Sequence, residues 1–145
     1  MNDLQKGPSM QLSRVIVSLP VADRRASFAF YRDGLGLDAI GEAAQDGVPE
    51  PLQFALNDGL RLMLVPSGGF GWVIGGREVA GRDQSECVFS LHADDEAAVA
   101  EVIERAHRAG GSVVTPPGPQ PWGYAGAFCD LDGHVWMVTS QTLPV

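Results

Sequence analysis

The sequence predicts an α+β fold of two βαβββ modules, whose curved mixed sheets surround a groove and whose helices lie on the outer faces. Three observations support this fold: strands with alternating apolar residues, two amphipathic helices, and the same order of elements in both halves of the 145-residue chain. The predicted modules span residues 14–66 and 86–140, with a linker over 67–85. A duplication of this size indicates paired modules, and right-handed crossovers would leave one face of each sheet free of helices.

The first module begins with a strand from Arg14 to Val21, in which an apolar face alternates with a second, distinct face. Asp23 fits the N-cap of an amphipathic helix over Arg24–Asp33, which ends at Gly34. The Asn-Asp-Gly sequence at 57–59 is a strong hairpin-turn signal. The three further strands predicted in this module are Leu37–Gly41, Leu52–Leu56 and Leu60–Val65.

The second module repeats this order. A strand over Glu86–His92 precedes Asp94 or Asp95, either of which can cap a helix over Glu96–Ala109. The helix ends at Gly110 and Gly111. In the last hairpin, Gly133 can supply the positive φ that a tight turn needs. The strands predicted after the helix are Ser112–Thr115, Tyr124–Cys129 and Val135–Val138.

Composition limits the class of protein. A hydrophobic content of 45% with 19% charged residues is typical of a globular domain, which we place at residues 12–145 behind a loose arm at 1–11. No stretch reaches the roughly twenty apolar residues that span a bilayer, and the N-terminus lacks a hydrophobic signal core, so we expect a soluble, cytoplasmic protein. The net charge of −8 argues against nucleic acid or an anionic membrane as partner. It favours cationic or neutral small molecules.

Two phrases give the chain a specific resemblance. Phe30-Tyr31-Arg32-Asp33-Gly34-Leu35-Gly36-Leu37 closes the first helix, and Phe128-Cys129-Asp130-Leu131-Asp132-Gly133-His134-Val135-Trp136 forms the last hairpin. Over residues 14–140 the chain resembles the vicinal oxygen chelate superfamily, which includes glyoxalase I, bleomycin-resistance proteins and extradiol dioxygenases. Leu131 replaces the proline of the usual Asp-Pro-Asp-Gly turn. The resemblance implies a homodimer with a groove at or near its interface.

The resemblance also raises the question of a metal. Enzymes of this superfamily typically hold a divalent ion through four groove-facing His, Glu or Gln side chains. The corresponding positions here are Ile16, Met63, Val88 and Met137, none of which is an oxygen or imidazole ligand. The sequence therefore predicts no metal and no cofactor. Alternation places further residues on the same face: Arg14, Ser18, Arg61, Val65, Glu86, Ser90, His92, Val135 and Thr139.

The sequence favours structural roles for the histidines and cysteines. His92 ends a strand and would be a general base only if it faces the groove, and His107 suits the helix C-terminus. His134 shares a face with Trp136, which indicates packing. The two cysteines, Cys87 and Cys129, lack metal or redox spacing and fit buried small hydrophobes. Neither a nucleophile elbow nor a phosphate-binding loop is present in the sequence.

Four aromatic residues are the sequence feature that favours ligand binding. Phe70 and Trp72 lie in the glycine-rich linker, which is flexible enough for a lid, and Trp122 and Tyr124 precede the last hairpin. Rings that converge on an apolar groove would stack flat or cationic ligands. The alternative is that the tryptophans only anchor loops.

The sequence thus predicts a metal-independent protein of the bleomycin-resistance type, with no catalytic residue, that binds an aromatic or cationic small molecule in an apolar groove. The predicted ligand-binding residues are Ile16, Ser18, Arg61, Met63, Phe70, Trp72, Val88, His92, Trp122, Tyr124 and Met137. One alternative is a metal-dependent lyase or dioxygenase with non-standard ligands such as Glu86, His92 or His134. Another is an interaction subunit without a ligand.

Overall fold

The computed structural model describes residues 5–140. The first four residues of the predicted arm and the last five of the predicted domain lie outside this range. Residues 5–14 belong to no helix or strand and are exposed. The strands are β1 (Val15–Val21), β2 (Asp38–Ile40), β3 (Leu52–Asn57), β4 (Leu60–Pro66), β5 (Val88–His92), β6 (Ser112–Gln120), β7 (Gly123–Cys129) and β8 (Val135–Thr139). The helices are α1 (Arg24–Ala29), α2 (Ser67–Val73) and α3 (Glu96–Arg108).

The two modules share one topology. The first sheet has the order β1-β4-β3-β2 and the second the order β5-β8-β7-β6. In each, the first strand pairs parallel with the last strand of its module, and the other pairs are antiparallel. This repeated arrangement of mixed sheets confirms the predicted pair of βαβββ modules.

One hydrophobic core joins the modules on the helix side of both sheets. Alternation along β4 buries Leu62 and Leu64, and alternation along β8 buries Trp136 and Val138. Phe30 completes the same cluster from the end of the first helix. Since these side chains lie on one face of each strand, the opposite face of each sheet is left outside the core.

Both module helices begin at the predicted caps. The side chain of Asp23 accepts hydrogen bonds from the backbone N–H groups of Arg25 and Ala26, and Asp95 accepts one from Ala98. The first helix continues beyond α1 as a π-helical turn over Phe30–Gly34. The predicted segment Arg24–Asp33 is therefore helical throughout, but its last turn is wider than an α-helical turn.

The strand predicted at Ser112–Thr115 is longer than expected. β6 continues through the proline-rich segment to Gln120 and pairs with β7 across two register shifts. Proline suppressed the strand prediction because it cannot donate a ladder hydrogen bond. β6 is an edge strand, however, so the missing N–H groups can face away from its neighbour.

The linker also differs from the expected flexible loop. Its first part forms α2, directly after β4, in spite of three glycines. The Ser67 hydroxyl donates to the carbonyl of Val21 at 3.3 Å, which ties the start of α2 to the end of β1. The following strand begins at Val88 rather than Glu86.

Among the helices formed between residues 5 and 140, none is long and apolar enough to cross a membrane.

Candidate functional site

The face of the first sheet opposite the core is one half of the candidate site. We call it the first open face. The register pairs Ile16 with Arg61 and Ser18 with Met63, so these side chains share the face. Gln53 lies opposite Met63 on β3 and extends it. All of them are partly or well exposed, in contrast to the buried leucines that alternate with them on β4.

The second sheet presents an equivalent second open face. Val88 pairs with Val135, Ser90 with Met137, and His92 with Thr139. The Nδ1 atom of His92 lies 3.3 Å from the Thr139 hydroxyl, so its imidazole is held at the end of the face by a neutral partner. The cross-strand pairs agree with the face predicted from alternation in the sequence.

The open faces expose apolar surface on edge strands. Ile16 on β1 is 45% exposed and Val88 on β5 is 55% exposed. Both strands lie at the edge of their sheets, where large exposed aliphatic side chains invite a partner or a ligand. Each face carries apolar side chains beside polar ones, a combination that small-molecule sites also use.

A cavity of about 490 Å³ borders both open faces. Its walls come from the second half of β1, from α2, from the segment at residues 77–87 and from the turn between β7 and β8. Ser18 of the first open face and Val135 of the second line it, together with Phe70. Further lining residues are Ile74, Arg77, Glu78, Gln84, Glu86, Cys87 and His134.

The four predicted aromatic residues lie in different surroundings. Of these, Phe70 lines the cavity, whereas Trp72 on α2 is 83% exposed and lies outside it. Trp122, in the turn between β6 and β7, is 43% exposed. Tyr124 lies in β7 and packs against the core. Of the other predicted binding residues, Ser18 lines the cavity and the remainder lie on the open faces.

Residues 13–138 match the family model described as Glyoxalase/Bleomycin resistance protein/Dioxygenase superfamily. The chain belongs to this superfamily. Among curated proteins, none matches the chain.

Solved structures share the fold. A hypothetical protein, SA1046, from S. aureus superposes with a TM-score of 0.76 at 22% identity, covering 91% of this chain and 96% of that one. A glyoxalase-related enzyme from Fulvimarina pelagi gives a TM-score of 0.73 at 26% identity, covering 90% and 89%. TnmS3, an antibiotic binding protein from Streptomyces sp. CB03234, gives a TM-score of 0.62 at 22% identity, covering 94% and 100%.

The side chains of this superfamily member do not fit the metal that the family implies. Ile16, Met63, Val88 and Met137 occupy the four expected ligand positions, and the register places all four on the open faces. Aliphatic and thioether side chains lack the oxygen or imidazole donors that Zn, Ni, Fe or Mn require at such sites. Across residues 5–140, no group of three or more His, Cys, Asp or Glu side chains is placed to hold a metal ion.

The superfamily hairpin phrase instead clamps the two modules together beside the cavity. The backbone N–H of Ala22 donates to Asp132 at 2.9 Å, and the imidazole Nε2 of His134 lies 2.7 Å from the carbonyl oxygen of Pro20. A carbonyl oxygen can only accept, so Nε2 carries the hydrogen in this contact. The turn thus holds the end of β1, which forms one wall of the cavity.

A buried network continues the clamp. Asp130 accepts hydrogen bonds from the backbone N–H groups of Asp132 and His134, both at 2.9 Å. It also accepts one from the Tyr31 hydroxyl at 2.5 Å, and that hydroxyl accepts one from Trp136 Nε1 at 3.1 Å. Burial, with the neighbouring Asp130 carboxylate, raises the pKa of Tyr31 well above its usual value. The neutral Tyr31 phenol thus joins the two modules through Asp130 and Trp136.

A second crevice, of about 590 Å³, lies between α1 and α3 on the helix side of the fold. Arg105 and Arg108 line it, and Arg105 donates to the carbonyl of Gly34 at 3.1 Å. None of the predicted binding residues lines this crevice, and His107 is exposed on α3.

The sequence did not single out several residues of the site. Gln53 alternates with buried Leu52 and Phe54, so period-two alternation could have assigned it to the open face. Arg77, Gln84 and the other linker residues of the cavity carry no periodic signal. Their position depends on how the linker crosses the modules, which local sequence does not encode.

Proposed function

We propose that the protein binds an aromatic small molecule on its open faces and in the adjoining cavity, without a metal ion. The open faces supply apolar contact through Ile16, Met63, Val88 and Met137, and Phe70 supplies a ring in the cavity wall. Small-molecule sites combine such apolar walls with a few polar groups that fix orientation. Here Ser18, Arg61 and Ser90 are polar groups on the same faces.

The observation that carries this proposal is the identity of the side chains at the four metal positions. Each is apolar and partly or well exposed, which favours contact with an apolar ligand over coordination of an ion. TnmS3, which shares the fold, is an antibiotic binding protein, so this fold is compatible with binding of a small molecule. Binding by this chain is our proposal.

We further propose that the protein is a homodimer whose contact surface includes the edge strands β1 and β5. Val15 and Ile16 at the start of β1 and Val88 at the start of β5 are about half exposed in the single chain. Pairing with a second copy would remove this apolar surface from water. It would also allow Trp72 and Trp122, which are exposed in the single chain, to approach a ligand from different subunits.

Substitution of Met63 tests the proposed binding face. Met63→Lys places a charge in the centre of the first open face, and we expect binding of the neutral dye N-phenyl-1-naphthylamine to weaken about tenfold or more. Fluorescence enhancement of the dye on titration measures the affinity. Met10→Lys is the matched control, since Met10 is 78% exposed in the N-terminal segment. Equal affinities for both variants and the wild-type protein would contradict the proposed face.

A metal-dependent lyase or dioxygenase is the second candidate. The observation that favours it is that Glu86 and His134, two of its suggested ligands, line the same cavity. The third, His92, lies at the end of the second open face and contacts Thr139. Metal content and its effect on binding distinguish the two candidates.

A further inference from the structure

We infer that Arg61 selects a ligand with an anionic group, so that the aromatic molecule bound on the open faces is a carboxylate, sulfonate, phosphate or phenolate rather than a cation. This inference rests on the proposed function and specifies its ligand. Arg61 lies on β4 in the first open face and pairs with Ile16 on one side and Ala55 on the other. Its side chain is partly buried.

The charge of Arg61 is not neutralised by its surroundings. Its guanidinium donates to the neutral amide oxygen of Gln53 at 3.4 Å, and within residues 5–140 it makes no salt bridge. Asp38 occupies the same cross-strand row, but two strands away, and does not form an ion pair with Arg61. Gln53 therefore orients the guanidinium while leaving its charge available.

The paired parallel strands of the two open faces offer no carboxylate. The strands β1, β4, β5 and β8 contain no Asp or Glu, so no acidic side chain from them can compensate Arg61. A ligand or a second subunit that covers the first open face would remove water from the guanidinium, which is costly unless an anion replaces it. An anionic ligand meets this requirement, whereas a cation would add repulsion.

The geometry suits an aromatic anion in particular. A guanidinium presents parallel N–H donors that match the two oxygens of a planar carboxylate or the oxygens of a sulfonate. The adjacent Ile16 and Met63 supply the apolar surface for a ring. Ser18 is next to Met63 across the strands and adds a hydroxyl near the cavity. This inference replaces the cationic ligand that the net charge of the whole chain suggested.

Two dyes that differ by one anionic group test the inference. The anionic dye, 1-anilinonaphthalene-8-sulfonate, and the neutral dye, N-phenyl-1-naphthylamine, share the same aromatic frame. We expect the wild-type protein to bind the anionic dye about tenfold or more tightly than the neutral dye, the range of a charge-assisted hydrogen bond. Arg61→Gln should abolish this preference, while Arg61→Lys should retain part of it.

Control variants distinguish a specific effect of Arg61 from a general loss of charge or a loss of folding. Arg25→Gln removes the same charge from an exposed position on α1 and should leave the preference unchanged. Thermal unfolding of each variant verifies that it is folded. If Arg61→Gln does not fold, Arg61→Lys still tests the inference. Equal binding of both dyes by the wild-type protein, or an unchanged preference in Arg61→Gln, would overturn the role of Arg61 and leave the proposed function standing. If the wild-type protein bound neither dye, this result would overturn the role of Arg61 and the proposed function together.

Discussion

Tyr31 shows how one residue joins the two modules. Its ring packs against Phe54 of the first module and Trp136 of the second, with ring centroids 5.7 and 5.9 Å away. Its hydroxyl bridges the buried Asp130 carboxylate and the Trp136 indole. Removing the hydroxyl leaves a buried donor without its partner and Asp130 with two backbone donors only, and both changes destabilise the folded state.

We therefore predict that Tyr31→Phe lowers the free energy of unfolding at neutral pH by about 1–3 kcal/mol. The raised pKa of Tyr31 also sets a pH dependence: the unfolded phenol ionises above about pH 10 while the folded one keeps its proton. Its contribution to stability is thus complete below that pH and is lost as the pH rises further. Tyr31→Phe should lose this alkaline component.

Urea denaturation between pH 7 and pH 11 measures both effects. Tyr124→Phe is the matched control, since the Tyr124 hydroxyl makes no hydrogen bond to the residues described. The role assigned to Tyr31 is wrong if the two variants have the same stability and the same alkaline dependence.

At the scale of elements, the turn between β7 and β8 is a clamp as well as a connection. Gly133 has φ of +92° and packs so closely on the linker that an added Cβ would collide with the backbone oxygen of Arg82. The turn therefore needs glycine for its conformation and for this contact. Because residues 77–87 form one wall of the cavity, the contact links the turn to the shape of the site.

Gly133→Ala separates these two requirements when it is compared with Gly47→Ala. Both glycines have positive φ, but a Cβ at Gly47 meets no atom within 4 Å. Each variant should lose about 1–2 kcal/mol of stability from the left-handed backbone alone. We expect Gly133→Ala to lose more and to weaken binding of the neutral dye, as urea denaturation and dye titration would measure. Identical losses in the two variants would argue against the linker contact.

Several elements of the fold follow from local sequence patterns. Alternation from Val15 to Val21 and from Val135 to Val138 assigned the core and open faces, because a period of two is a direct property of an extended strand. Turn chemistry at Asp23, Asp95 and Gly133 located the helix starts and the last hairpin, because each residue performs a local function there.

Other elements depended on contacts that local sequence does not contain. The prolines of β6 argued against a strand, but an edge strand accepts them because their missing N–H groups can face away from the sheet. The glycines of α2 suggested a flexible loop, yet the segment is helical and tied to β1 through Ser67. The cavity walls from residues 77–87 follow from packing on Gly133, which involves two parts of the chain about fifty residues apart. The convergence of the four aromatic residues stays a prediction for the assembled protein.

At the scale of the whole molecule, each chain has two open faces bordered by edge strands with exposed aliphatic residues. Val88 on β5 is 55% exposed, and Ile16 on β1 is 45% exposed. The net charge of −8 opposes non-specific association, so a specific apolar contact is needed to hold two copies together. This arrangement supports the proposed homodimer through β1 and β5.

Val88→Asp should shift this dimer to monomers, because a carboxylate in the contact would have to be buried unpaired. Val114→Asp is a close control: Val114 is 52% exposed on β6, at the opposite edge of the same sheet. Sedimentation velocity at micromolar concentration measures the change. A monomeric wild-type protein, or a dimer that tolerates Val88→Asp as well as Val114→Asp, would contradict the proposed interface.

The most direct test of metal-independent binding combines metal analysis with titration. The wild-type protein is stripped with a chelator, its metal content is measured by mass spectrometry, and its affinity for the neutral dye is compared before and after stripping and after addition of Zn, Ni, Fe or Mn. We predict that binding is the same in every sample and that metal is present far below one ion per chain. A stoichiometric ion whose removal abolishes binding and whose return restores it would contradict the account.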